Sequence, residues 1–140
     1  MKKTIKIKNE IIIPEKIIGI SSQSSDYHVA WEINNILGIS LFKLSEKIFI
    51  DKLSNEEIPI KLFYFKDDNS QKYYLLENNV IGRSLFLSLK HIDYLLILYP
   101  KSDNVKVYVS KLSKSKAFLG CFSVELNTSQ IKLLKNILIK

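Results

Sequence analysis

Residues 92–100, Ile-Asp-Tyr-Leu-Leu-Ile-Leu-Tyr-Pro, constrain the chain most. From Tyr94 to Tyr99 there is no polar alternation, so both faces are apolar. The run reads as a central strand, stopped by Pro100, which cannot donate to a ladder. Other strands surround it in sequence. Lys16–Ser21 reads as a buried strand, and Lys3–Ile7 alternates like an edge strand with its lysines outward, followed by a turn over Glu10–Pro14. Residues 59–78 form the clearest hairpin. Two aromatic strands, about 60–66 and 72–77, flank the polar turn Asp67–Ser70. "AFLGCFSVEL" reads as a strand with Phe118, Gly120, Phe122, Val124 and Leu126 on one face.

Helical signals fill the gaps. Ser24 or Ser25 offers an N-cap hydroxyl, Asp26 suits a first turn, and Gly38 suits a left-handed C-cap, which predicts a helix between them. "SDNVKVYVSKLSK" fits both periods. Val105, Val107 and Val109 alternate, while Val105, Tyr108, Val109 and Leu112 sit at helical offsets; Asp103 as cap and the lysines beyond favour helix. Asn127 and Gln130 predict a short capped helix over 128–138. Residues 41–57 and 79–91 are mixed and predict no defined element. The order implies an α+β fold for residues 1–140 as one domain: a single mixed or mostly antiparallel sheet, two long helices on one face, and a short C-terminal helix, a ferredoxin-like variant.

Composition narrows the class. With 140 residues, 46% hydrophobic and only 4 Gly and 3 Pro, the chain can bury a core and is not low-complexity. A single cysteine, Cys121, excludes an internal disulfide framework and points to a reducing, cytoplasmic setting. Lys6, Lys8, Asn9 and Glu10 interrupt any signal-peptide core, and the Tyr94–Tyr99 run is too short to span a bilayer, so no membrane insertion is expected.

The +7 net charge is unevenly placed. Residues 1–70 carry ten Lys and ten acids, whereas residues 71–140 carry eleven basic residues and four acids. A basic C-terminal half suits RNA, DNA or an acidic partner, with Lys101, Lys106, Lys111, Lys114 and Lys116 as the candidate contacts. Only Arg83 offers the fork that grips phosphate, so a solvated lysine surface is the simpler expectation.

Around the helix that opens at Asp26, Val29, Ala30, Ile33, Ile36 and Leu37 make the face expected to pack on the sheet. His28, Glu32 and Asn35 are expected in water, and Asp26 points to the buried side. These acids and His28 therefore do not converge as a triad or metal site. A third stripe, Tyr27, Trp31 and Asn34, runs at i, i+4 and i+7. Aromatic residues with polar tips are enriched at binding surfaces, which makes this stripe the candidate binding site. The simpler expectation is that residues in the 40s or the C-terminal segment cover it.

His91 and Asp93 are two ligands without a third, and Asp93 is expected to hold a neighbouring backbone amide. Cys121 is expected to be a buried, inert thiol. No phosphate-binding loop, nucleophile elbow, zinc pair or paired carboxylates occur, so no enzyme, metal or cofactor is implied.

The blocks "IIGISSQSSDYHVAWEINNILGISL", "YYLLENN", "IDYLLIL" and "FSVELNTSQIKLLKNILI" resemble the small bacterial IPExxVD family over about two-thirds of the chain. Of the naming motif, residues 87–93 keep the final Ile92-Asp93, and Ile13-Pro14-Glu15 stands elsewhere without the following Asp. The resemblance implies a bacterial housekeeping protein and transfers no catalytic residue. Two functions are expected: a non-enzymatic interaction or accessory protein with a protein partner, or an RNA-binding accessory using the basic half.

Overall fold

The computed structural model describes residues 16–44, 47–51, 56–80, 83–84, 86, 89–100 and 104–139. In chain order these form β1 (Lys16–Ser21), α1 (Asp26–Leu37), β2 (Phe42–Lys43), β3 (Lys47–Asp51), β4 (Glu56–Ile60), β5 (Leu62–Lys66), β6 (Lys72–Glu77), β7 (Asn79–Val80), β8 (Arg83–Ser84), β9 (Tyr94–Tyr99), α2 (Val105–Leu112), β10 (Gly120–Glu125) and α3 (Thr128–Ile139). The expected strand at Lys3–Ile7, the turn at Glu10–Pro14 and the Asp103 cap lie outside the described residues, as does Lys101.

Six strands make one sheet in the order β10-β1-β9-β6-β5-β2, and every neighbouring pair is antiparallel. The small hairpins β3–β4 and β7–β8 stand apart from it. β9 occupies an interior position with five consecutive buried residues, Tyr94 to Leu98. Its period-2 geometry divides them between two cores. Tyr94, Leu96 and Leu98 join Ile18, Ile20, Val29, Ala30, Ile33, Val105 and Leu112 on the side covered by α1 and α2. Leu95 and Ile97 join Ile17, Leu62, Leu76, Leu134, Ile137 and Leu138 on the side covered by α3. Burying each such Ile or Leu is worth about 1.5–3 kcal/mol, so both faces of the sheet contribute to holding it.

The architecture is α+β with a single antiparallel main sheet and three helices. The expected helix lengths need correction. α1 and α3 have 12 residues each, and α2, one of the two helices sharing a face, has 8. α3 is extended by its start: Asn127 Oδ1 accepts from the Gln130 amide at 2.8 Å, and Gln130 Oε1 accepts from the Asn127 amide at 2.9 Å. That reciprocal cap satisfies two otherwise orphaned donors. α2 begins after Asn104, whose side chain makes no cap bond. The aromatic hairpin has the expected form. Asp67 Oδ1 accepts from the amides of Asn69 and Gln71, which closes the turn.

The β10 segment also departs from a single shared face. Phe118 packs in the α1–α2 core, while Val124 and Leu126 pack under α3. The cause is a bulge. Leu119 N–H donates to Ser21 O at 2.7 Å while Ser21 stands in register with Gly120, so two residues oppose one.

At the same end of the sheet a polar knot ties loops together. Asn78, fully buried, donates to the carbonyls of Leu89 and Ile92 and accepts from the Phe86 amide. Asp93 accepts from the Ser22 amide at 2.8 Å and from Asn79 at 3.0 Å. Ser22 in turn donates to Ala117 O. Buried polar groups paired this fully cost little and fix loop register.

Candidate functional site

α1 starts at an extended Ser25, whose hydroxyl accepts from the His28 amide at 3.4 Å. Asp26 is buried; its Oδ1 accepts from the Tyr27 amide at 2.8 Å, and Oδ2 faces Lys61 Nζ at 3.8 Å. The helix ends at Gly38, whose φ of 69° is the left-handed conformation a side chain disfavours. Its N–H donates to Asn34 O at 2.8 Å. Val29, Ala30 and Ile33 are fully buried against the sheet, while Ile36 and Leu37 are only partly covered at the core's rim.

The third stripe divides. Tyr27 is 60% exposed and Trp31 58%, so the two aromatics stand largely in solvent; the expectation that the stripe is covered is corrected. Tyr27 rests edge-on against Phe63 of β5, centroids 5.4 Å apart, and Lys43 Nζ of β2 sits 5.4 Å from its ring centroid. Trp31 has the His28 ring beside it at 6.2 Å. Asn34 does not belong with them. Its amide donates to Leu41 O at 3.3 Å and its oxygen accepts from the Leu41 amide at 2.7 Å, clamping the chain as it leaves the helix. Those bonds satisfy a backbone pair, so Asn34 serves the fold. Lys43 is the member that sequence reasoning missed, because only the β2–β5 pairing brings it to Tyr27.

The opposite flank of α1 meets α2. Glu32, Ile36, Lys111, Lys114 and Ser115 line an open groove of about 320 Å³ there. Ser115 Oγ donates to Glu32 Oε1 at 3.2 Å, and His28 Nε2 lies 3.7 Å from Glu32 Oε2. Of the proposed nucleic-acid contacts, Lys106, Lys111, Lys114 and Lys116 are all exposed. They cluster along and just after α2, whereas Lys132 and Lys135 are on α3, across the sheet. The basic half is therefore split between two faces, and Glu32 interrupts one of them.

The remaining candidates do not converge. Asp93 holds the Ser22 amide, while the His91 ring turns toward Phe122 at 6.4 Å. Among the described residues no three His, Cys, Asp or Glu side chains form a metal-binding group. Cys121 is buried, and that burial raises its thiol pKa to about 11, which keeps it protonated and a poor nucleophile at neutral pH. Burial likewise lifts the Tyr94 hydroxyl to about 12, with Glu77 adding to the effect; the hydroxyl donates to Ser24 O at 2.7 Å, beside the α1 cap. Among the described residues no helix is long and apolar enough to cross a membrane. No protein-family model matches the chain, and no curated protein or solved structure matches it.

Proposed function

We propose that this chain is a non-enzymatic interaction or accessory protein that binds a protein partner through Tyr27 and Trp31 on the outer flank of α1. One observation carries the reading: the two large aromatics stand about one turn apart, at i and i+4, more than half exposed, on a helix whose other face is packed. Trp and Tyr are the residues that most often dominate binding energy when a partner desolvates them. Tyr27 is held by Phe63 and Lys43, so little ordering is left to the moment of binding. A tagged copy recovered from its own cells should retain a stoichiometric protein partner, and Trp31→Ala should abolish that recovery while the melting curve stays in place. Recovery of the wild-type chain alone would refute the reading.

Membership of the IPExxVD family and a cytoplasmic setting belong to the same proposal, supported by the quoted sequence blocks and the single buried thiol. The sheet order β10-β1-β9-β6 with α1 and α2 on one face supports reading the fold as a ferredoxin-like variant, extended by β5, β2 and α3. RNA binding is the second reading. The exposed lysines around α2 favour it, and binding through them should fall steeply with salt. Failure to retain RNA at about 50 mM salt would eliminate it.

A further inference from the structure

The two edges of the main sheet are unlike. β2 has two residues and ends on a lysine, the usual blunting of an exposed edge. β10 has six, Gly-Cys-Phe-Ser-Val-Glu, with no lysine or proline, and no lysine stands anywhere from Ala117 to Ile131. Among the described residues only β1 pairs with β10. Leu119 is 74% exposed and Phe122 44%, so the rim is also apolar.

The phase of this edge follows from two routes. At the bulge Leu119 N–H donates to Ser21 O, so the Ser21 carbonyl faces β10, and its register partner Gly120, with Phe122 and Val124, bonds inward. Independently, Asn78 N–H donates to Asp93 O across β6–β9, so Tyr94 and Leu96 face β1. Their partners Ile20 and Ile18 face β9, which leaves Ile17, Gly19 and Ser21 to face Val124, Phe122 and Gly120. Both routes leave the N–H and C=O groups of Cys121, Ser123 and Glu125 pointing away from the sheet.

We propose that the outer edge of β10 pairs with the same edge of a second copy of this chain, antiparallel about a two-fold axis at Ser123. That register is self-complementary. Ser123 meets Ser123, Cys121 exchanges bonds with Glu125, and the more closely spaced positions set Phe122 against Val124, an aromatic with a β-branched residue. The only charge on the strand, Glu125, falls opposite Cys121 and not opposite another Glu125. On a chain of net charge +7, this nearly uncharged edge is a place where two copies can meet without opposing lysines. The Phe122 ring already lies back over Gly120, where a Cβ would come within 2.6 Å of it, so the ring lies along its own strand.

Light scattering coupled to size-exclusion chromatography, over the micromolar range, should give twice the chain mass of 16.2 kDa. Ser123→Pro removes an outward donor and no β1 bond, and Ser123→Lys places a charge at the two-fold axis. Either should weaken dimerisation at least tenfold with an unchanged circular dichroism spectrum, and the lysine variant decides the matter if the proline variant misfolds. In the wild-type dimer the amides of Cys121, Ser123 and Glu125 should be protected from hydrogen exchange, and in the lysine variant they should exchange freely. A wild-type monomer throughout would overturn the proposal. If those amides were protected in that monomer, the chain's own residues would be occupying the edge. A dimer persisting in both variants would also overturn it, by placing the interface elsewhere.

Discussion

α1 carries two apolar surfaces that the fold treats oppositely. Val29, Ala30 and Ile33 lie in the sheet core, whereas Tyr27 and Trp31, on the same 12 residues, stand largely in solvent. Asn34 sits on the boundary and is used by the backbone of Leu41. A helix needs only one packed face to be held in place. A second, aromatic face on such a helix is not required by folding, and it is the feature that most needs a functional explanation.

Substitutions should grade this contrast. Ile33→Ala leaves a cavity in a sealed core and should cost about 2–5 kcal/mol by denaturant unfolding. Asn34→Ala removes both bonds to Leu41 and should cost about 1–3 kcal/mol, showing that this position belongs to the packed side. Trp31→Ala should cost less than about 1 kcal/mol in the same measurement, since little of the ring is desolvated. His28→Ala, on the wet side with only an exposed pair to Glu32, should change stability by less than about 0.5 kcal/mol. If Trp31→Ala cost as much as Ile33→Ala, the distinction between the two surfaces would be broken.

Much of the fold was legible because periodicity and caps are local. Lys16–Ser21, the 62–77 hairpin, Tyr94–Tyr99 and the Asn127 capping box follow from residues close together in sequence. The role of Asp93 as a holder of a backbone amide was legible as a type, but its partner, Ser22, lies 71 residues away. The bulge was not legible. It depends on two strands meeting out of step, and it turned Phe118 from the Val124 face to the other core. At the candidate site, Tyr27, Trp31 and Asn34 share a stripe on any helical wheel. What separates Asn34 is the chain's return past Gly38 to Leu41, and what adds Lys43 is a two-residue strand with no signature of its own.

Trp31 is the chain's single tryptophan, so its fluorescence reports on this surface alone. In the free protein, emission should lie close to that of tryptophan in water, and iodide should quench it nearly as well as in the unfolded chain. Blue-shifted emission shielded from iodide would show the stripe to be covered, and would contradict the view that α1 presents it for recognition.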